Sequence, residues 1–523
     1  MNKTELVQQL TSILGKQNVL DDIEHNMLYA QDIYTKALPA NFVIRPNSTS
    51  LLAKATQLIT QAGFAVIPRG GGMSYTKGIV PVEDNTVMVD MSLFDQVLEI
   101  NLQDMYVTAQ SGCTWQALHK ALKGSGFRTP FWGTLSGSKA TIGGGISQNS
   151  IFWGSGQHGF AVDSVLSLEV ILANGDIINT GAAAHINGTP FMRHFGPDLT
   201  GLFCADNAAL GIKSAITLRL VPELKHNDGV SFCFESFEQQ SAVMSEVSRR
   251  GLASECCGFD PYLQAQRLKR ESLASDMKSL VGVMKSAGGF TKALKQGAKV
   301  ALAGRNFVEA ESWSVHFLVE DRTEHAVNER LKCIKDIAQQ HNAIEIENTI
   351  PKVLRANPFG PVNNMIGPNG ERWAPVHTLV PHSKANRAYQ VSCDVFEQHQ
   401  VAIEQFNIGI GYLLAFVSTN VFVLEPVFFW PDELNELHYH AVEPQHIKRV
   451  TKFSANPQAR GAVQTIRKDL IEAYKNIGGV HMQIGKTYLF EQGIAEKNFD
   501  LVKKLKRILD PKNRMNPNAL DLN

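Results

Sequence analysis

The sequence predicts an α+β protein of two or three domains, and three observations carry that reading. The chain has 523 residues, too long for one ordinary core. Alternating runs that read as paired strands are interleaved with amphipathic helical runs along its length. Two glycine-rich loops each follow an apolar segment: PRGGGMSYTKG at 68–78, and GTLSGSKATIGGGISQNSIFWGSGQHG at 133–159. The second is crowded with Gly, Ser, Thr and Asn, carries almost no charge and cannot build a core of its own. It offers backbone, because Gly143, Gly144 and Gly145 let the chain press N–H groups against a ligand. Either loop alone reads equally well as a tight turn. Together they suggest a large anionic cofactor held at two points.

The elements follow in order. A helix is predicted over 3–14, a strand at 42–44, a helix over 50–62 opened by Ser and Thr caps, and a strand entering the first glycine loop. Strands follow at 85–91 and within 97–112, then an amphipathic helix over 114–126. VLSLEVILANGDIINTG reads as a hairpin turning at Asn174-Gly175. A glycine turn at Gly211 and a strand close an α+β domain at about residue 223. The stretch 224–475 alternates strands (VSFCFES, SWSVHFLVE, TNVFVLEPVFFW) with amphipathic helices, as a ferredoxin-like α+β sheet with helices on one side would. Residues 476–523 form a C-terminal segment.

Composition narrows the function classes. Formal net charge is zero, which argues against nucleic acid as a partner. Charged residues make up 19% and hydrophobic residues 44%, the balance of a soluble globular protein. The N-terminus has no long apolar run, and seven cysteines without repeating spacing point to a reducing, cytoplasmic compartment. Cys256 and Cys257 read as core. Segment 277–307 has lysines but no Asp or Glu, and reads as a surface hairpin or as a peripheral contact with the inner face of a membrane or with an acidic partner. His438 and His440 lack a close third ligand and are assigned to the surface, with no metal.

The motifs PRGGGMSY, ATIGGGISQNS with the following HGF, EVILANGDIINTG, and GPDLTGLF…ALGIKSAITLRLVP resemble the PCMH-type FAD-binding domain of the vanillyl-alcohol oxidase / p-cresol methylhydroxylase superfamily, which includes glycolate oxidase D-subunit-like and D-lactate dehydrogenase-like proteins. LDPKNRMNPNAL resembles its closing motif, in which the tail returns to the FAD domain. The resemblance implies that Pro68, Arg69, Gly70, Gly71, Gly72, Met73 and Ser74 wrap the FAD pyrophosphate. It implies that Thr134, Leu135, Ser136, Ala140, Thr141, Gly144, Gly145 and Asn149 line the flavin and its ribityl chain. Gly159, Gly211, Ile212 and Asn516 complete the expected set. A GxGxxG after a first strand is missing, so NAD is not expected. In covalent members the flavin is bonded either to a histidine in the first loop, where this chain has Met73, or to a His or Tyr five residues before the proline of an aromatic-small-Pro segment, where it has Gly370. The expected cofactor is therefore non-covalent FAD.

The expected activity is FAD-dependent removal of a hydride from a small organic alcohol or 2-hydroxy acid. The alternatives are a 4-alkylphenol or vanillyl-alcohol type enzyme and a flavin-dependent alkylglycerone-phosphate synthase-like transferase. Such chemistry needs a base for the hydroxyl proton and groups for developing charge. His481 is the expected base, at its ordinary pKa near 6.5, with His377 and Glu425 in reserve. Lys486 or Gln483 anchors a carboxylate or hydroxyl, Tyr75 aligns with the family's phenolate-holding tyrosine, and Trp373 and Tyr488 complete the substrate set. If residues around 481–486 form a strand, His481 and Gln483 share one face. An electron acceptor, whether oxygen, a quinone or a redox protein, is implied, and a homodimer is compatible with the reading.

Overall fold

The structure is a computed structural model and describes residues 1–270 and 312–523. The basic segment 277–307 lies outside the described residues. Three sheets carry the fold. The first has the order β1 (Val19–Leu20), β2 (Phe42–Ile44), β4 (Thr86–Asp90), β3 (Ala65–Arg69), with β2, β4 and β3 parallel. The helix Lys3–Leu14 opens on a capping box between Asn2 and Glu5, and buries Leu6, Leu10 and Leu14. The helix Thr49–Gln61, capped by Ser48, lays Leu52, Ala55 and Ile59 on the same core.

The second sheet is antiparallel: β5 (Val97–Asn101), β6 (Tyr106–Gln110), β10 (Ile212–Arg219), β8 (Val165–Ile171), β9 (Ile177–Asn179). The β8–β9 turn is the expected Asn174-Gly175, with Gly175 at φ +85° where a side chain would be strained. A short pair, β7 (Phe127–Arg128) with β11 (Val221–Pro222), stands apart.

Only four residues after β11, the chain enters the third sheet, which has eight strands. They are β12 (His226–Phe234), β13 (Glu255–Phe259), β14 (Trp313–Asp321), β15 (Ile344–Ile346), β16 (Arg372–Pro375), β17 (Thr378–Val380), β18 (Gly409–Val417) and β19 (Val421–Trp430). Strand alternation gives the sheet two faces with different partners. Phe422, Leu424 and Phe428 of β19 and Leu414 and Phe416 of β18 join the core beneath the helices Phe237–Arg249, Glu324–Gln340, Ala385–Gln398 and Pro457–Asn476. Val423, Val427 and Phe429 point the other way, where Ile151, Phe152 and Phe160 of the second glycine loop meet them. By the same alternation Glu425 lies on the face toward that loop. The four long helices lie on one side of this sheet, but the helix Pro261–Arg270 packs on the other, with Leu263 against Val427 and Phe429, which corrects the expectation of helices on one side only. The vicinal Cys256 and Cys257 are buried in β13 as expected.

The C-terminal tail returns to the first sheet. The Val66 N–H donates to the Arg514 carbonyl (2.7 Å), and the Asn516 N–H donates to the Val66 carbonyl (2.9 Å). Lys506, buried with Asp510, fastens this turn by donating to the Ala209 and Met515 carbonyls.

Candidate active site

The first glycine loop leaves β3 and is pinned at its far end. Asp32 accepts from the Lys77 N–H (2.7 Å), while Asn207 and Asn516 both donate to the Gly78 carbonyl (3.0 and 2.9 Å). Gly70 and Gly71 lie directly against the second loop, where a Cβ on Gly71 would strike the Lys139 carbonyl and one on Gly70 the Thr141 hydroxyl. Thr141 caps the short helix Ile142–Ser147, accepting from the Gly144 N–H at 3.2 Å. Within that helix Gly143 abuts Ser111 and Gly145 abuts Trp115, but a Cβ on Gly144 would meet only the Thr141 hydroxyl, at 3.3 Å. Thr134 and Ser136 share a hydroxyl contact (3.1 Å), and Leu135 and Ala140 pack on the apolar core around Trp115 and Phe131.

The donor set fits a large polar ligand. The backbone N–H groups of Gly71, Gly72, Met73 and Ser74 donate to no acceptor among the described residues. Buried polar atoms without a partner are found on the second loop and on the segments packed around the loops: Asn149 Oδ1, Arg69 Nε, Ser111 Oγ, Trp115 Nε1 and Asn516 Oδ1. Unsatisfied buried donors and acceptors are uncommon in native folds and point to a missing partner. Asn149, at φ +51°, and Gly159, at φ +89°, shape the far end of the second loop. Gly211 and Ile212 differ from expectation. Gly211 makes room for Val170, and Ile212 is buried with Phe42 and Ile171, so packing within the sheets accounts for both.

Across from these loops, β16, β17, β19 and the 480s gather a buried polar cluster. The fully buried His377 sits between β16 and β17. Its backbone N–H donates to the Tyr488 oxygen (2.9 Å), and its Nδ1 lies 2.9 Å from the same oxygen. The Gln483 N–H approaches His377 Nε2 (3.4 Å), which makes Nε2 an acceptor and Nδ1–H a donor. Both lone pairs of the Tyr488 oxygen are then used, and its O–H is left to donate elsewhere. His481 stacks on Tyr488, with ring centroids 3.9 Å apart and planes at 22°. Its Nδ1 lies 2.8 Å from the His377 carbonyl, so Nδ1 carries the proton and Nε2 is the acceptor. Burial lowers the His481 pKa to about 4, against the pull of that carbonyl. Burial, with the charges of His481 and Arg467, holds His377 well below the ordinary range. Both imidazoles are therefore neutral at neutral pH, and the expectation of an ordinary His481 pKa is corrected.

Tyr75 joins from the first loop. Its O–H points at Glu425 Oε2 across a long 3.5 Å, and its ring meets Trp373 edge-on at 5.6 Å. Burial and then the Glu425 charge push its phenol well above 10. His377, His481, Glu425, Tyr75, Tyr488, Trp373 and Gln483 thus lie together, linked by these contacts. Lys486 does not. Gly485 adopts φ +59° and the Lys486 N–H is held by the Thr76 carbonyl (2.9 Å), which sends the side chain to the Val80 carbonyl (2.8 Å). There Lys486 lines a cavity of about 460 Å³ with Lys77 and Glu491, and burial lowers its ammonium to about 7.

Two further expectations are corrected. The 480s are not a strand; Val480 makes an isolated bridge to Leu379, and the chain then turns. His438 is fully buried, because its Nδ1 accepts from the Asn435 N–H in a reciprocal cap, while His440 stays on the surface. Arg467 was not foreseen in the cluster. The readable signal is an arginine on the apolar stripe of its helix, among Val463, Ile466, Leu470 and Tyr474.

Comparison with known proteins accounts for the loops. Residues 40–181 match the FAD binding domain family. Glycolate oxidase subunit GlcD of Bacillus subtilis is 28% identical over 246 residues, 46% of this chain and 50% of that protein. The mitochondrial D-lactate dehydrogenase [cytochrome] of Arabidopsis thaliana is 29% identical over 226 residues, 43% of this chain and 38% of that one. The matches thus span about half the length of these curated relatives or less. In fold, p-cresol methylhydroxylase with substrate bound is similar over 99% of this chain and 96% of that one, with a TM-score of 0.74 at 14% identity. An alkyldihydroxyacetonephosphate synthase is similar over 99% and 85%, with a TM-score of 0.69 at 15% identity. The likeness is thus in sequence over somewhat less than half of this chain to a glycolate oxidase subunit and a D-lactate dehydrogenase, and in fold along the chain to p-cresol methylhydroxylase and the synthase.

Proposed function

We propose that the protein is an FAD-dependent oxidoreductase that removes a hydride from the carbinol carbon of a small organic alcohol or 2-hydroxy acid. The observation that carries this reading is the neutral cluster of His377, Tyr488 and His481, the first two buried and His481 half-buried, facing the glycine loops. The glycine loops around Gly71–Ser74 and Thr141–Asn149 would hold FAD through backbone N–H groups and the unpaired polar atoms described above. When bound, FAD supplies the hydride acceptor.

The chain's own residues do the acid–base work. His481 Nε2 is the neutral acceptor of the cluster and takes the hydroxyl proton of the substrate. Its Nδ1–H stays on the His377 carbonyl and fixes the ring, as an orienting partner must. The Tyr488 O–H is held neutral by burial, with its lone pairs filled by His377, and is a directed donor to a developing negative charge on the substrate oxygen. Tyr75 is set against Glu425 and needs no phenolate partner, which supports an aliphatic rather than a phenolic substrate.

Met73 packs in an apolar cluster with Ile33 and Trp373, and Gly370 sits in a tight turn against Thr451. Neither can bond a flavin, which supports non-covalent FAD. Reconstituted protein should release its yellow colour on acid precipitation. It should also be bleached anaerobically by members of a panel of 2-hydroxy acids and alcohols, more than by 4-alkylphenols. Colour retained by the washed pellet would overturn the first statement, and bleaching by phenols alone the second.

A further inference from the structure

Arg467 is the cation of the cluster, and the proposed chemistry leaves it unused. It lies on the helix Pro457–Asn476 and is only 3% exposed. A guanidinium keeps its charge under all ordinary conditions. Some buried cations of this chain meet acids, Arg128 with Glu320, Lys213 with Asp206 and Lys506 with Asp510, whereas Arg69 and Arg372, like Arg467, have no ion pair among the described residues. Of these three only Arg467 acts on His377, Tyr75 and Tyr488. Arg467 forms no ion pair with any described residue. Its Nη1 donates to the Pro375 carbonyl, and its guanidinium lies over the Tyr34 ring, 4.1 Å from the centroid. One neutral carbonyl and one ring leave most of a five-donor fork without an acceptor. Burial of an unpaired charge is strongly disfavoured unless an anion compensates it. Asp32, whose carboxyl burial raises despite its N–H partners and the Arg467 charge, is turned to backbone N–H groups of Tyr34, Thr35 and Lys77.

The surroundings agree. The charge of Arg467 is felt by His377, Tyr75 and Tyr488. Tyr34, which covers the guanidinium, also lines a cavity of about 310 Å³ whose charged groups are mixed, Lys36, Lys77, Arg372 and Arg460 with Glu433 and Glu436, Arg460 being paired with Asp432. Arg460, Gln464 and Arg467 are spaced i, i+4, i+7, so one helix face leads from that cavity to the buried charge.

We propose that the guanidinium fork of Arg467 is a carboxylate anchor, holding the substrate's carboxylate beside His377, Tyr75 and Tyr488. This rests on the oxidoreductase reading and narrows its substrate from alcohols in general to hydroxy acids. The test is isothermal calorimetry on FAD-loaded protein with oxalate, a carboxylate without an oxidisable C–H bond, and with its neutral counterpart oxamide. Flavin content is measured first, so that failure to bind FAD is recognised separately from failure of the anchor. Oxalate is expected to bind the unaltered protein, and to bind Arg467→Gln roughly ten- to a hundred-fold more weakly, as loss of a charge-assisted pair implies. Oxamide should not distinguish the two. Arg467→Lys keeps the charge but not the fork, and is expected to be severalfold weaker; this variant decides the matter if Arg467→Gln does not fold. Equal oxalate affinity in the unaltered protein and either variant overturns the anchor. So does failure of oxalate to bind FAD-loaded protein, which leaves an oxidoreductase of neutral alcohols standing.

Discussion

At the scale of single residues, the cluster owes its character to which atoms are donors and which are acceptors. His377 gives two N–H groups to one Tyr488 oxygen, and His481 gives its Nδ1–H to the His377 carbonyl. Those three bonds fix two tautomers and one hydroxyl rotor without any charge. Tyr488→Phe would strand both His377 donors in the interior. Each lost bond should lower stability by roughly 1–3 kcal/mol. Thermal unfolding should therefore show a clearly lower Tm for Tyr488→Phe than for Tyr75→Phe, since the Tyr75 contact with Glu425 is a long 3.5 Å and contributes little. Equal Tm values for the two variants would remove Tyr488 from its assigned place. The identities of these residues were readable in the sequence, but their protonation was not. An ordinary histidine pKa presumes water, and burial lowers His481 to about 4.

At the scale of elements, the glycine loops are the parts whose function can be separated from their folding. Gly71 is a poor probe, because a side chain there would collide with Lys139 whether or not a cofactor is present. Gly144 is the better one. A Cβ there meets only the Thr141 hydroxyl at 3.3 Å, and alanine favours the helix Ile142–Ser147. Gly144→Ala should fold with unchanged or slightly higher apo stability, yet lose FAD affinity by at least severalfold, read by flavin fluorescence titration. Full FAD affinity in that variant would place the cofactor elsewhere. Most elements were legible, because periodicity and capping residues act locally: the helices at Lys3–Leu14 and Thr49–Gln61 and the β8–β9 hairpin stand where they were expected. The 480s were not, since V-H-M-Q-I alternates like a strand while Gly485 and the Thr76 carbonyl turn it. Arg467 was visible only as a charge on an apolar stripe, which becomes meaningful once its helix is known to pack over the site.

At the scale of the whole molecule, the flavin-binding half and the large sheet meet through buried polar contacts as well as apolar ones. Arg128 of β7 pairs with Glu320 of β14, which also holds Arg355 (3.1 Å), and Glu255 accepts the Gly154 N–H through both oxygens (3.0 and 2.9 Å). Burial, then the Glu320 charge, raises Glu255 to about 8, and burial raises Asp260 to about 6. These acids stabilise the fold at low pH and lose that contribution as pH rises through their folded values. The histidines act in the opposite sense. Burial depresses His119, His158 and His481 to about 4, and His377 and His438 well below 6.5. Their contribution is present above pH 6.5 and is lost as pH falls toward their folded values, because the unfolded chain takes up the protons first. The histidines outnumber the acids, so Tm should fall on acidification between pH 6.5 and about pH 4, and a Tm that rises over this range would contradict the burial assigned to them.

The central claim is that His481, fixed by His377 and Tyr488, takes the substrate proton above an FAD-binding domain. Anaerobic stopped-flow reduction of the bound flavin by the best substrate of the panel tests it most directly, comparing the unaltered protein with His481→Ala at equal FAD content. Loss of a positioned base typically slows the step by about a hundred- to ten-thousand-fold, and the account predicts a slowing in that range with FAD affinity unchanged. Reduction at the unaltered rate in His481→Ala would contradict it.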